Sequence, residues 1–262
     1  MPNAALIVAA GRGTRASGGD AAGLPKQYAD LGGHSVLART LAVFLEHAAI
    51  HHVAVVIHPD DRDRYAGIAP GAGKLLPPCL GGATRRQSVL NGLEALAACA
   101  PDRVLIHDAA RPFVDVRQID DVLAALDVHA GAIAATPITD TVKQAGGDGL
   151  ITRNVERAGL WGAQTPQGFD FAAILTAHRA AQAAGRSDFT DDAAVAEWHG
   201  LRVAIVPGSP RNIKITTAED LALAQREFAS NIMADVRTGT GFDVHRFTEG
   251  DGVWLCGVRI AH

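Results

Sequence analysis

No stretch of the sequence approaches the roughly 18 consecutive apolar residues of a membrane span, and no basic segment precedes the short apolar run near the N-terminus. A soluble, cytoplasmic protein without a membrane partner is expected. There is no basic excess either: 24 Lys and Arg face 28 Asp and Glu, a formal net charge of -4. Nucleic acid is therefore not the expected partner, and basic residues must act locally. Cysteine is scarce. Cys79, Cys99 and Cys256 share no metal-ligand or redox spacing, which fits small apolar side chains in a reducing compartment. No internal repeat of useful period is present, so solenoids and propellers are excluded. Two familiar phosphate loops are missing as well: the chain lacks G-x-x-x-x-G-K-[ST], and Gly11-x-Gly13 finds alanine at Ala16 where G-x-G-x-x-G needs its third glycine.

What the chain does have is an unusual N-terminal stretch, Ala4 to Tyr28. A buried strand, Ala4 to Ala10, breaks into a loop with Gly11, Gly13, Gly18, Gly19 and Gly23 and ends on Pro25-Lys26. Glycines let the backbone approach an anion closely and turn its N–H groups inward, while Arg15 and Lys26 can bring full charges to phosphate oxygens. The stretch suits a polyphosphate, although an ordinary strand-to-loop turn would use the same glycines.

Further along, hydrophobic periodicity predicts a helix over 35–48, a strand over 53–57, a short polar helix over 60–65 and a strand over 75–80 before the turn Gly81-Gly82. A helix over 84–98 follows. The apolar strand Val104 to Ile106 then delivers His107-Asp108-Ala109-Ala110-Arg111-Pro112 to its carboxyl end, where open parallel sheets keep their ligands. After a helix over 116–128 and a strand over 132–136, the alternation breaks. Short strands over 139–143 and 151–155 around Ala145-Gly146-Gly147-Asp148-Gly149 predict a protruding β-hairpin arm. Gln164-Thr165-Pro166-Gln167 is expected to lead into a helix over 169–184, followed by a helix over 190–198, strands over 203–206 and 213–215, and a helix over 217–228. The fold class is α/β, with a doubly wound, mostly parallel sheet. Residues 230–236 look like a linker, and 237–262 begin something new, with 253–260 a strand lacking a partner.

Six blocks stand in order: Ala9-Ala10-Gly11-x-Gly13-x-Arg15, Pro25-Lys26-Gln27-Tyr28, His107 to Pro112, Asp140-Thr141-x-Lys143, Gln164-Thr165-Pro166-Gln167 and Asn212-Ile213-Lys214. In this order and spacing the chain resembles the 2-C-methyl-D-erythritol 4-phosphate cytidylyltransferase family over about residues 3–228. The resemblance implies a Rossmann-like nucleotidyltransferase domain, 1–229, that joins the phosphate of methylerythritol phosphate to the α-phosphorus of CTP and expels pyrophosphate. It further implies that Arg15, Lys26 and Lys214 neutralise the phosphates. Ala9, Ala10, Gly11, Gly13, Gly82 and Ser88 would bind the nucleotide, and Asp108 would bind it and hold Mg²⁺. Arg111, Thr141, Arg157 and Thr165 would grip the sugar phosphate, Thr141 and Arg157 acting across a homodimer through the arm.

The second segment, Arg237-x-Gly239-x-Gly241-Phe242-Asp243-Val244-His245-Arg246-Phe247, is similar to the opening of the 2-C-methyl-D-erythritol 2,4-cyclodiphosphate synthase family. The chain thus resembles a bifunctional fusion cut off early in its second domain. Asp243 and His245 lie two apart in a segment expected to be extended, which would turn both to one face, but zinc needs three protein ligands and the family's third would lie beyond His262. No competent zinc site and no cyclase activity are expected. Two departures from the family pattern bear on the nucleotide: Ala83 stands where an acidic residue is usual after the Gly-Gly turn, and the loop between Arg15 and Lys26 is longer than usual. A ribitol 5-phosphate cytidylyltransferase, or a nucleotide-binding or oligomerisation module without catalysis, are the competing readings.

Overall fold

The structure is a computed structural model and describes residues 1–12, 24–68, 73–233, 250–255 and 258–261. Gly13, Arg15, Asp243 and His245, the long loop before Lys26 and most of the second family-like segment lie outside these residues. The chain divides into two units, Met1–Phe228 and Ala229–His262.

The first unit is built on strands that are apolar on both sides. In β1 (Asn3–Ala9), Ala5 and Ile7 pack into one core cluster and Ala4 and Leu6 into another, as the two-residue period of a doubly covered strand requires. β2 (Ile50–Ile57) and β4 (Arg103–Asp108) repeat the pattern with Val53, Val55 and Leu105 on one side and Ala54, Val56 and Ile106 on the other. The helices α1 (Val36–Glu46) and α4 (Val116–Ala125) cover the first face with Leu37, Leu41, Phe44, Ile119 and Val122. The short helix α2 (Arg62–Ala66) follows β2, and the other face lies under α3 (Arg85–Ala97), α5 (Phe171–Ala183) and α6 (Asp192–Trp198), through Val89, Leu93, Ile174 and Val195.

With β3 (Cys79–Leu80), β5 (Gly131–Pro137), β8 (Trp161–Asp170) and β9 (Val203–Pro207), the sheet runs β3-β2-β1-β4-β8-β5-β9. All neighbouring pairs are parallel except those of β8, which is antiparallel to β4 and β5. The order turns back on itself between β1 and β4, so their carboxyl ends frame a crevice. The arm is present as a separate hairpin, β6 (Val142–Ala145) against β7 (Ile151–Val155).

Several expectations need correction. The segment Gln164 to Gln167, expected to lead into a helix over 169–184, lies within the ten-residue strand β8, and the helix starts at Phe171. Its polar side chains hid the strand, yet Gln164, Thr165 and Gln167 are buried because each finds partners there. Gly168 is needed since a Cβ would come within 2.6 Å of Val122 and 2.8 Å of Leu105. Residues 75–80 yield only β3 and a single bridge from Leu75 to Val53, because Pro77 and Pro78 have no N–H for a ladder. The helix expected over 116–128 ends as α4 at Ala125.

Ile213 to Ile215 form no strand; the segment touches the sheet's end through Ile215 N–H to Ala110 C=O. Their apolar character serves a smaller cluster with Leu31, Val36, Phe113, Leu221 and Ala224. The last of these lies on α7 (Ala218–Met233), which continues past the expected start of the linker. Residues 253–260 are not one lone strand but the hairpin β10 (Gly252–Leu255) with β11 (Val258–Ala261), which pairs backbone groups that a single strand would leave open.

Strands β4 and β8 are tied by a buried relay. The Arg111 carbonyl can only accept, so the His107 Nε2–H donates to it at 3.1 Å. Nδ1 is then the acceptor for the Thr165 hydroxyl at 3.0 Å, and that oxygen accepts the Asp108 N–H at 3.1 Å. Burial pushes the His107 ring down to about 4, well below the usual imidazole value, against the opposing pull of its bond to Arg111.

Two expected outcomes follow from this packing. A Cβ on Gly92, in the middle of α3, would meet Leu6 at 2.4 Å and Val56 at 2.8 Å; Gly92→Ala should therefore lower urea-unfolding stability by about 1–2 kcal/mol despite the roughly 1 kcal/mol it gains in helix propensity. A more stable variant would contradict the helix-to-sheet contact. Because the folded His107 binds its proton less readily than the unfolded ring, its contribution is complete above about pH 6.5 and is lost as pH falls through about 4. From pH 7 to pH 5 the chain should lose about 2 kcal/mol more stability than His107→Asn does, and equal pH dependence would rule out a neutral buried ring.

Candidate active site

The crevice between β1 and β4 opens into a cleft of about 700 Å³. Ala9, Ala10 and Gly11 enter it from the end of β1 and Asp108 from the end of β4, whose register sets Val8 opposite Asp108. Gln27 holds the loop base, its buried amide donating to the Ala9 carbonyl at 2.9 Å and to Gly11 at 3.1 Å. The tight turn Lys26–Tyr28, closed by Tyr28 N–H to Pro25 C=O, thereby brings Lys26 to the cleft wall.

The Gly81-Gly82 turn forms another wall. A Cβ at Gly81 would lie 2.4 Å from that of Ala10, so the close approach of the two loops requires glycine there. Ser88 ties the turn to α3: its Oγ accepts the Gly82 N–H at 3.1 Å and donates to the Thr84 carbonyl at 2.9 Å. Ala83 lines the same cleft. Arg12, which the sequence did not single out, also lines it and is held by Asp60, Asp61 and His58.

A smaller cleft of about 250 Å³ lies alongside, bordered by Arg111, Gln164, Thr165 and Thr190. Arg111 is nearly buried and donates to the Asn212 carbonyl at 2.6 Å; burial draws its guanidinium below its ordinary pKa. The Asn212 amide in turn donates to the Thr165 carbonyl at 2.8 Å. Arg85, Asp108 and Lys214 border both clefts and form their common wall.

That wall is an ion network. Lys214 Nζ lies 2.7 Å from Asp108 Oδ2, and Arg85 Nη2 lies 3.4 Å from Asp108 Oδ1 and 2.8 Å from Asp192 Oδ2. Burial alone would raise the Asp108 carboxyl, but Arg85 and Lys214 outweigh it and hold it far below the usual carboxylate range. Burial works against the Arg85 charge too, and the two carboxylates reverse this, so its pKa is raised. Both groups are ionised throughout the neutral range.

Of the residues singled out from sequence, Ala9, Ala10, Gly11, Lys26, Gly82, Ser88, Asp108 and Lys214 meet at the larger cleft, and Arg111 and Thr165 at the smaller. Thr165 arrives with its hydroxyl already engaged by His107 and Asp108. Thr141 and Arg157 are exposed beside the arm and line neither cleft; Arg157 donates to the Thr139 carbonyl. Sequence reasoning missed Arg85 and Asp192. One signal was available: Arg85 is the first residue of a helix, where the macrodipole disfavours a cation, so its placement there calls for nearby carboxylates.

The 2-C-methyl-D-erythritol 4-phosphate cytidylyltransferase (IspD) family model matches residues 3–229. A protein of Mesorhizobium japonicum named bifunctional enzyme IspD/IspF is 48% identical over 261 residues, which are 99% of this chain and 63% of the relative. One of the same name from Bradyrhizobium sp. is 50% identical over 259 residues, 99% of this chain and 64% of the relative. The chain thus spans a little under two thirds of the length of these relatives. Among solved structures, the 4-diphosphocytidyl-2C-methyl-D-erythritol synthase of Anaerococcus prevotii matches with a TM-score of 0.73 and 31% identity, covering 87% of this chain and 98% of its own. The match takes in the whole sheet, both clefts and the wall between them: the chain belongs to the 2-C-methyl-D-erythritol 4-phosphate cytidylyltransferase family.

Proposed function

We propose that the chain transfers CMP from CTP to 2-C-methyl-D-erythritol 4-phosphate. An acceptor phosphate oxygen attacks the α-phosphorus, the bond from that phosphorus to the bridging oxygen breaks, and pyrophosphate leaves with the electron pair. The observation that carries this reading is the pair of clefts meeting at one charged wall. A nucleotide in the larger and a sugar phosphate in the smaller would bring two anions together, so the task is charge neutralisation and positioning.

Lys26 and Lys214, with Arg15 from the loop outside the described residues, would neutralise the triphosphate and the transition state. Gly11 and the Gly81-Gly82 turn would allow close backbone approach, and Ala83 would leave base recognition to backbone groups and Ser88. Arg111 would meet the acceptor phosphate. Thr165 supports the same site mainly by fixing Asp108 and His107, since its hydroxyl proton is already donated.

Asp108 is the candidate holder of Mg²⁺. Among the described residues no group of three or more His, Cys, Asp or Glu is set to hold a metal, and a lone ionised carboxylate suits a hard cation that takes most of its ligands from phosphate and water. When bound, Mg²⁺ would supply Lewis-acid neutralisation of phosphate oxygens. The exposed Leu150, Ile151, Leu160 and Trp161 at the arm and its base support a homodimer in which the arm carries Thr141 and Arg157 to a neighbouring site. The similarity of 237–262 to the opening of a cyclodiphosphate synthase domain, with Asp243 and His245 as candidate metal ligands there, and a cytoplasmic location complete the proposal. No helix among the described residues is long and apolar enough to cross a membrane.

Pyrophosphate release with Mg²⁺ and CTP tests the reading, with methylerythritol phosphate and ribitol 5-phosphate offered separately. Turnover with the first supports it; turnover only with the second keeps the mechanism and overturns the acceptor. Nucleotide binding without turnover would reduce the chain to a binding module. In the same assay Lys26→Ala should lower kcat by roughly two orders of magnitude or more, about 3 kcal/mol of transition-state stabilisation, and a tenfold or smaller loss would remove Lys26 from catalysis. Arg157→Ala should mainly raise KM for the sugar phosphate, and mixing it with Lys26→Ala should restore some activity; proven mixed dimers without any rescue would contradict an arm that serves its neighbour.

A further inference from the structure

Asp192 lies behind the wall between the clefts, on α6, and only 1% of it is exposed. Its backbone is fixed by Gln167, whose Oε1 accepts the N–H groups of Asp192 and Ala193 at 3.1 and 3.0 Å. Its carboxylate has Arg85 at 2.8 Å on one oxygen and His178 Nε2 at 3.3 Å on the other, but no well-aligned hydrogen-bond donor. Charge pairing is therefore what makes this buried anion tolerable. Arg85 is anchored on the buried side by Asp192, yet its side chain keeps 30% of its surface open and borders both clefts. The same guanidinium also pairs with Asp108 at 3.4 Å, so Asp192 gives it a second and closer anchor on the buried side.

The geometry points to Arg85 as a further phosphate-contacting residue at the junction of the two clefts, with Asp192 as the positioning residue that holds it there. The identity of the phosphates rests on the reading above. A planar guanidinium suits this place because its fork can keep one edge on a carboxylate and offer another to phosphate oxygens. Asp192 cannot itself reach a ligand, since it borders the larger cleft nowhere and is sealed from the smaller; it acts through Arg85.

The test combines turnover with calorimetric binding of inorganic pyrophosphate. Arg85→Met should lower kcat about 100-fold and weaken pyrophosphate binding about tenfold, and guanidinium ion should restore part of the activity of Arg85→Ala. Asp192→Asn should lower kcat about tenfold alone and nothing further in the Arg85→Met background, the non-additivity expected of residues acting through one contact. Additive losses, or Arg85→Met within threefold of the unaltered chain, would overturn the assignment. Should Asp192→Asn fail to fold, Asp192→Glu keeps the charge but displaces it, and the same loss of kcat is expected; full activity in that variant counts against positioning. If the unaltered chain turns over neither sugar phosphate, the proposed function fails, and pyrophosphate binding still decides Arg85: equal affinity in Arg85→Met overturns its contact with phosphate.

Discussion

The ionised carboxylate of Asp108, held between Lys214 and Arg85, is the constraint on which the rest of the site depends. A nearly buried anion at the end of a parallel strand needs cations within ion-pair distance, and the two cations and the anion come from three parts of the chain that only the fold brings together. Arg85 opens α3, Lys214 lies on the segment that crosses the sheet's end, and Asp108 closes β4. Lys214 and Arg85 pair with Asp108 and Asp192 yet keep part of their side chains open where the clefts meet, which leaves the wall able to take further negative charge. Two clefts meeting at such a wall suit two anionic substrates.

Holding that wall in place is the work of polar residues well behind it. The relay from the Asp108 N–H through Thr165 to His107 and the Arg111 carbonyl joins the end of β4 to the middle of β8. Asn212 links Arg111 to Thr165, and Gln164 bonds both the carbonyl and the N–H of Ser209 ahead of Lys214. Gln167 fixes the start of α6 and with it Asp192. The block Gln164-Thr165-Pro166-Gln167 thus serves as a scaffold under both clefts as well as a border of the smaller one. Buried networks of this kind keep their geometry because leaving any member unpaired is expensive.

Much of this was legible in the sequence where apolar pattern carried the information. β1, β2 and β4 announce themselves as short continuous apolar runs, and the residues at their ends follow directly. β8 was not legible: its polar side chains satisfy one another across elements, which no local pattern reports, and Gly168 reads as a loop until Val122 and Leu105 are seen filling the space of its missing side chain. Ile213 and Ile215 misled in the opposite sense, being apolar for a helix-covered cluster rather than for the sheet. Lys26 stood out by its place at the end of the glycine-rich loop, and Asp108 and Arg111 by theirs at the carboxyl end of β4; Lys214 stood out only because six blocks occurred in order. Arg85 and Asp192 stayed hidden because their pairing joins two helices far apart in the chain. Thr141 and Arg157 line neither cleft, and nothing in local pattern connects them to a site.

The central claim is that one charged wall separates, and joins, the seats of two phosphorylated substrates. A crystal structure of the chain with Mg²⁺, an α,β-non-hydrolysable CTP analogue and methylerythritol phosphate tests it most directly. The account predicts the triphosphate in the larger cleft against Lys26 and Lys214, the sugar phosphate in the smaller against Arg111, and the two reacting phosphates on either side of the Asp108 wall. Nucleotide phosphates bound away from Lys26 and Lys214, or both ligands seated in the same cleft, would contradict it.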